Sequence, residues 1–375
     1  MVAGSFVPGP ARDHVAAHGG WLHIGAPDLR SADILTFAPD GLLLVGDSRG
    51  SAVFAFDVAD AGTATSADVT VSDLDSRMAA RLGTTPRDIS IRDLAVHPKS
   101  HNVYLSVVRR RDADSAPILV RVSSGGRLDV VSLSAIPFAR ASLPNPPRPG
   151  VEVEGDPGWK WTISAMTVMD GRLYVAGMSN EEFSSTIRQL PLPFTGSVVS
   201  TGIRMYHAHH VRYETEAPIT AFAPYTFFGT RFLVAAYSCT PLVLFPVDSL
   251  QDGAKITGKT IAELGAGNIV RDILPFDWEG KRYLAISNRN RSMQLLNATA
   301  LPNVPLLDEH SPNPAATALY GLGSWLSWGL EAGSVAQVGI LHLADFDADN
   351  ALAVQRDVET GTIKLRLLKK PILYP

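Results

Sequence analysis

The sequence predicts an all-β fold, a single β-propeller of six four-stranded blades, on three observations. Six segments share one pattern: a small or acidic residue, an apolar run, a polar turn and a second apolar run. They are ADILTFAPDGLLLVGDS, RDLAVHPKSHNVYLSVV, SAMTVMDGRLYVAGMS, TAFAPYTFFGTRFLVAAYS, RDILPFDWEGKRYLAIS and VGILHLADFDADNALAVQ. Their second residues (Asp33, Asp93, Ala165, Ala221, Asp272 and Gly339) recur at intervals of roughly 50 to 70 residues, and the step from the last round to the first has the same size. Third, helical periodicity is scarce, whereas short runs rich in Val, Leu, Ile and Tyr are punctuated by Gly, Asp and Pro. Four-stranded units repeated round a circle form a propeller.

Each segment supplies an inner and a second strand. A third follows in SAVFAFDV, APILVRVS, STIRQLPL, TPLVLFPV, RSMQLLNA and GTIKLRLL, and fourth strands are expected at DVTVSDL, DVVSLS, IRMYHAHHV and KTIAEL. The best helix candidate is LDSRMAARLG, 74–83, between two units. The last unit lacks an outer strand, and WLHIG (21–25) is left over, so this N-terminal strand is expected to complete the sixth blade and close the ring. Residues 1–20 form an extension and 21–375 the propeller. Seven blades is the alternative, since 300–337, with Trp325 and Trp328, has room for more strands; a β-sandwich is the other.

The segment FAPDGLLLVGDSRGSAVFAFDV resembles a blade of the NHL and SMP-30/gluconolactonase type of propeller, in which PDG, VGD and a following Gly set the turns. The resemblance implies a six-bladed ring with one metal at the channel mouth, held by a Glu opening one inner strand and by Asn and Asp from others. It also implies that this metal polarises a substrate carbonyl and activates water. Asp33, Asp93 and Asp272 match those ligands by position, but the E-G-P opening that supplies the family's Glu is absent.

Composition narrows the function classes. The 375 residues carry 33 Lys plus Arg against 37 Asp plus Glu, net −4 with a pI near 6.2, so there is no basic footprint for nucleic acid. The one basic run, Arg109 to Arg111, leads into Asp112 and Asp114 and reads as a solvated turn. A single cysteine, Cys239, precludes a disulfide within the chain. There is no apolar run long enough for a membrane span, and the N-terminus lacks the basic head and apolar stretch of a signal peptide. A cytoplasmic location is the default, with periplasmic or secreted open if a signal has been trimmed; a monomer is expected. No P-loop, Rossmann fingerprint, G-x-S-x-G or H-E-x-x-H occurs, so no nucleotide cofactor is expected.

Candidate chemistry follows from propeller geometry. Inner-strand starts and the turns between second and third strands share the top face. There Asp33, Arg92, Asp93, Arg271 and Asp272 meet Asp47, Arg49, Asn180, Glu181, Cys239, Asn288 and Arg289. The connections 73–90, 136–160 and 306–334 are long enough to cover that face. Asp33, Asp93 and Asp272 are the expected ligands of a divalent metal, Ca²⁺ foremost, since hard cations take carboxylate oxygens. Asp93, Asp272 and Arg271 are the expected catalytic groups of a metal-dependent hydrolase or lyase. Arg92, Asn288, Arg289, Cys239 and Trp161 are the expected contacts for a small molecule. The competing reading is a scaffold that binds a protein partner through the top loops, its Arg-Asp pairs joining neighbouring blades. The second and fifth blades, which carry those pairs, are expected to face each other across the channel.

YHAHH (206–210) is a further candidate. On a strand His207 and His209 point the same way, and with Glu214 or Glu216 they would make a Cu or Zn site. Glu216 is the preferred third ligand, and the segment falls on an outer strand, away from the channel. Asp345, Asp347 and Asp349 in DFDADN have the spacing of a calcium loop but lack its Gly and terminal Glu, so a polar hairpin is the stronger expectation. Cys239 lies on a turn, with no histidine nearby in sequence to act as its base.

Overall fold

The computed structural model describes residues 20–63, 68–109, 117–239, 241–265, 268–311, 332–335 and 337–370. Six mainly antiparallel sheets stand round a channel, numbered I to VI by the chain order of their inner strands. These inner strands are Ile34–Phe37, Ile89–Val96, Ala165–Met169, Ile219–Phe227, Val270–Trp278 and Ile340–Asp345. All six expected strand triplets form, and a helix occupies Leu74–Leu82, closed by Gly83 in the left-handed region. No helix among the described residues is long and apolar enough to cross a membrane. Trp325, Trp328, Arg110, Arg111 and residues 1–19 lie outside the described residues.

The second strands are unbroken apolar runs because both faces of a blade are buried. In Leu43–Asp47, Leu43 and Val45 pack toward blade II, while Leu44, on the opposite face, packs with Ile163 and Val175 of blade III. Alternation thus sorts one strand's side chains into two cores.

The blades do not follow one another in chain order. The apolar clusters pair I with II, II with VI, VI with V, V with IV, IV with III, and III with I. The order round the ring is therefore II–I–III–IV–V–VI. Two exchanges produce it. After blade I's third strand the chain reaches blade VI, where Val71 bridges Leu365 through a pair of backbone hydrogen bonds of 2.9 and 2.8 Å. DVTVSDL therefore supplies the outer edge of the last blade, not of the first. After blade II, Ile136–Ser142 returns to pair with Ala52–Phe56 as the outer strand of blade I, so much of the expected 136–160 loop is strand.

WLHIG does not close the ring either. His23–Gly25 pairs with Ile136–Ser142 and adds a fifth strand to blade I. An early segment does close the circle, but it is the one around Val71, because that segment leads directly into blade II, the neighbour of blade VI. Blades II and V also do not face each other: one blade, VI, lies between them.

Candidate active site in the central channel

A cavity of about 750 Å³ runs along the channel, lined by the inner strands of all six blades and by Trp159, Lys160 and Trp161 at one mouth. Four inner strands carry an irregularity at the same level, between Ile91 and Asp93, Ile219 and Ala221, Val270 and Asp272, and Ile340 and His342. A bulge places two residues against one and re-aims the side chain that follows. It is Arg92 and Arg271 that sit in the bulges, while Asp93, Ala221, Asp272 and His342 come level. In blade VI the equivalent position is thus His342, not Gly339.

Blades V, VI and II are consecutive, so Asp272, His342 and Asp93 converge: one ligand atom from each lies within 4.8 Å of the others. His342 Nδ1 is 3.5 Å from Asp93 Oδ1, and the two side chains are only 11% and 13% exposed. Each residue also reaches the next blade. Asp272 Oδ2 accepts from Leu343 N at 2.9 Å and from Ser287 Oγ at 2.7 Å; Asp93 Oδ2 accepts from Leu35 N at 2.6 Å; His342 hydrogen-bonds the Ile91 backbone. The aspartates therefore join blades as well as lining the channel.

Burial sets the electrostatics. It pushes Asp272 up to about 6, partly offset by Ser287, the Leu343 amide and Arg271. Asp93 is raised well above the usual carboxylate range, first by burial and then by the charge of Asp272. Burial together with nearby Arg271 depresses His342 to about 4, so its imidazole is neutral and keeps a lone pair. Asp33 lines the same cavity and is raised by burial, but Ser31 and Ser48 hold its carboxylate and it stands outside the close trio.

The arginines do not pair as expected. Among the described residues no ion pair joins Arg92 to Asp93 or Arg271 to Asp272. Both residues are solvent-accessible at the channel mouth, yet the channel walls crowd the Arg271 guanidinium, and this partial desolvation, with Arg289 and Arg92 close by, lowers its pKa. Three cationic groups thus share one mouth. Asn288 is internal instead: its Nδ2 donates to Ser292 O at 3.0 Å and its Oδ1 accepts from Asn268 at 2.7 Å. Trp161 Nε1 donates to Val153 O at 3.0 Å, and Arg49 stacks on Trp159. Asp47 organises its own turn, accepting from Arg30 N, Ser31 N and Gly50 N.

Elsewhere the expected groupings change. Cys239 does not line the channel cavity; it lies beside His207 and His210. His209 and Glu216 drop out of that cluster, since Glu216 is exposed and pairs with Arg212, whereas Glu214 is buried between the two histidines. Burial alone would lower His207, but Cys239, Glu214 and Glu263 outweigh it and push it to about 10. In DFDADN, Asp347 caps a turn by accepting from Asp349 N and Asn350 N, and Asp345 pairs with Lys370, which makes the segment a neutralised hairpin.

His342 is the residue sequence reasoning missed. Aligning ILHLADFD with VRDILPFD brings His342 level with Asp272, Phe346 with Phe276 and Asp347 with Asp277, a match hidden by anchoring the last repeat on Gly339.

No family model matches the chain, and no curated protein matches it. Similar solved structures include the PQQ-bound aldose sugar dehydrogenase of Streptomyces coelicolor, 14% identical, covering 92% of this chain and 96% of that one at a TM-score of 0.37. Hydrazine synthase of Kuenenia stuttgartiensis is 12% identical, with 99% of both chains covered and a TM-score of 0.40. Raptor of Chaetomium thermophilum is 11% identical at a TM-score of 0.34; the match spans 97% of this chain but 26% of that protein.

Proposed function

We propose that the channel binds a small anionic, carbonyl-bearing molecule and acts on it as a metal-assisted hydrolase or lyase. The observation that carries this reading is the convergence of Asp93, Asp272 and His342 within 4.8 Å, inside a cavity of about 750 Å³ that Arg92 and Arg271 also line. Two apposed carboxylates and a neutral imidazole suit a divalent cation, whose charge would offset the burial that raises both acids and the Asp272 charge that adds to it at Asp93. The imidazole moves the preference from Ca²⁺, an oxygen-seeking ion, toward Zn²⁺ or Mn²⁺. When bound, such an ion supplies carbonyl polarisation and a more acidic water. Arg92, Arg271 and Arg289 attract and orient the anionic end of the ligand. The trio contains no Glu, and in this the site departs from the lactonase pattern that blade I resembles.

The test is metal analysis of protein stripped with chelator and reloaded, compared with Asp272→Asn and His342→Ala. Wild type that binds one more equivalent of Zn²⁺ or Mn²⁺ than either variant, while the fold persists, supports the reading; the same stoichiometry in all three overturns it. A second reading, a protein-binding scaffold, is favoured by the hydrogen bonds from Leu35 N and Leu343 N to the two aspartates. It expects no metal at the channel.

A further inference from the structure

Blades III and IV build a second cluster, remote from the channel. Blade III's outer strand, Val199–His207, ends at His207 and the chain turns at once: His210 N donates to His207 O at 3.1 Å, and Val211 takes a φ of 55°. The turn folds His210 back over His207, with ring centroids 3.8 Å apart.

Glu214 then holds both rings by their Nδ1 atoms, one on each carboxylate oxygen. His207 Nδ1 is 2.9 Å from Glu214 Oε2, and His210 Nδ1 is 2.6 Å from Glu214 Oε1. Because a carboxylate accepts, Nδ1 of each ring is the donor, and Nε2 is the nitrogen a metal would take, displacing the proton it carries in His207. Metal-ligating histidines characteristically hand their other N–H to a carboxylate in this way.

His207 is 1% exposed, and its Nε2 has no hydrogen-bond partner of ordinary geometry; it lies 4.0 Å from Glu263 Oε2. The Glu263 carboxylate is steadied by Ala208 N, which donates to Oε1 at 2.8 Å. Cys239 enters from blade IV's turn between second and third strands with a φ of 59°, a left-handed conformation costly for a residue with a Cβ. A nitrogen of His207, a nitrogen of His210 and Cys239 Sγ all lie within 4.8 Å of one another.

We propose that His207, His210 and Cys239, with Glu263 as the fourth donor, form a zinc-class metal site joining blades III and IV. Two imidazoles, a thiolate and a carboxylate give a tetrahedral N₂SO set whose charge neutralises a divalent ion. The thiolate excludes Ca²⁺ and Mg²⁺. Bond lengths of about 2.0 Å to nitrogen and 2.3 Å to sulfur ask the donors to close by about 1 Å, which the half-exposed His210 can supply. The site is independent of the channel reading, since it shares no residue with it.

Full-length protein stripped with chelator is titrated with Co²⁺ and Zn²⁺. The expected result is one equivalent of Co²⁺ showing a thiolate-to-cobalt charge-transfer band, displaced by Zn²⁺. Cys239→Ser abolishes the band, and Glu214→Gln keeps it with affinity lowered about 10–100-fold. His209→Ala leaves it unchanged. A channel metal, lacking thiolate, gives no such band, so the two sites are read separately. Wild-type protein that takes up no Co²⁺ with this band, or a Cys239→Ser variant that titrates as wild type, overturns the proposal.

Discussion

Replacing Asp272 with asparagine removes one of two facing carboxylates but keeps an oxygen where Leu343 N and Ser287 Oγ now donate, at 2.9 and 2.7 Å. The folded chain holds Asp272 at about 6, against 3.8 for a free aspartate. Between those values the native state retains a proton that the unfolded chain has released, so stability falls as pH rises through the interval. At 1.36 kcal/mol per pH unit the full effect is about 3 kcal/mol, reached above about pH 6 and absent below about pH 4. Asp272→Asn, measured by urea denaturation in chelator, should therefore exceed wild type in stability by up to about 3 kcal/mol at pH 7.5. The two should converge toward pH 4. Adding Zn²⁺, the ion proposed for the channel, should reverse the order, because the proposed site needs the charge that asparagine lacks. A variant less stable than wild type at pH 7.5 without metal, or a gap that does not change with pH, refutes the reasoning.

Other consequences are checked by the same denaturation assay. Val71→Pro removes the amide that donates to Leu365 O and disturbs a 2% exposed side chain at the ring closure, and should cost about 3 kcal/mol. Gly177→Ala would set a Cβ 2.0 Å from Thr162 O, a backbone atom that cannot step aside, and should cost about 3 kcal/mol; no loss would mean that blade III packs differently. Arg188 is fully buried and donates to Thr162 O, Pro144 O and Met178 O, with burial lowering its pKa to about 10. Arg188→Met orphans three carbonyls and should cost about 3 kcal/mol or more; a neutral outcome would show that water replaces the guanidinium.

The strands of each blade were legible because a strand buried on both faces must be a short apolar run, and six such sets repeat. The order of the blades was not, because nothing local distinguishes DVTVSDL as an edge for blade VI from an edge for blade I; only the partner, Leu365, decides. Asp93 and Asp272 stood out as charges at strand heads, whereas His342 sat inside an apolar run and was displaced by the bulge after Ile340. The pairing of His207 with His210 was hidden for a different reason. YHAHHVRYE contains no Gly, Pro or Asn to mark the turn, so strand alternation was carried two residues too far, to His209. Cys239 and its histidines belong to different blades, and sequence spacing says nothing about that contact.

The segment around Val71 has a bearing on how the ring assembles during synthesis. Val69, Val71, Leu74 and Met78 pack with the strands of blade II, which follow them directly in the chain. Their other partners, Leu352, Val354 and Leu365, are made last. The early chain thus carries a finished half of an interface, a docking template with an edge still vacant while blades III to V are produced. Such a long wait makes ring closure a slow, late event of high contact order. The arrival of the final hairpin is then the step at which six separate sheets become one mechanically continuous circle.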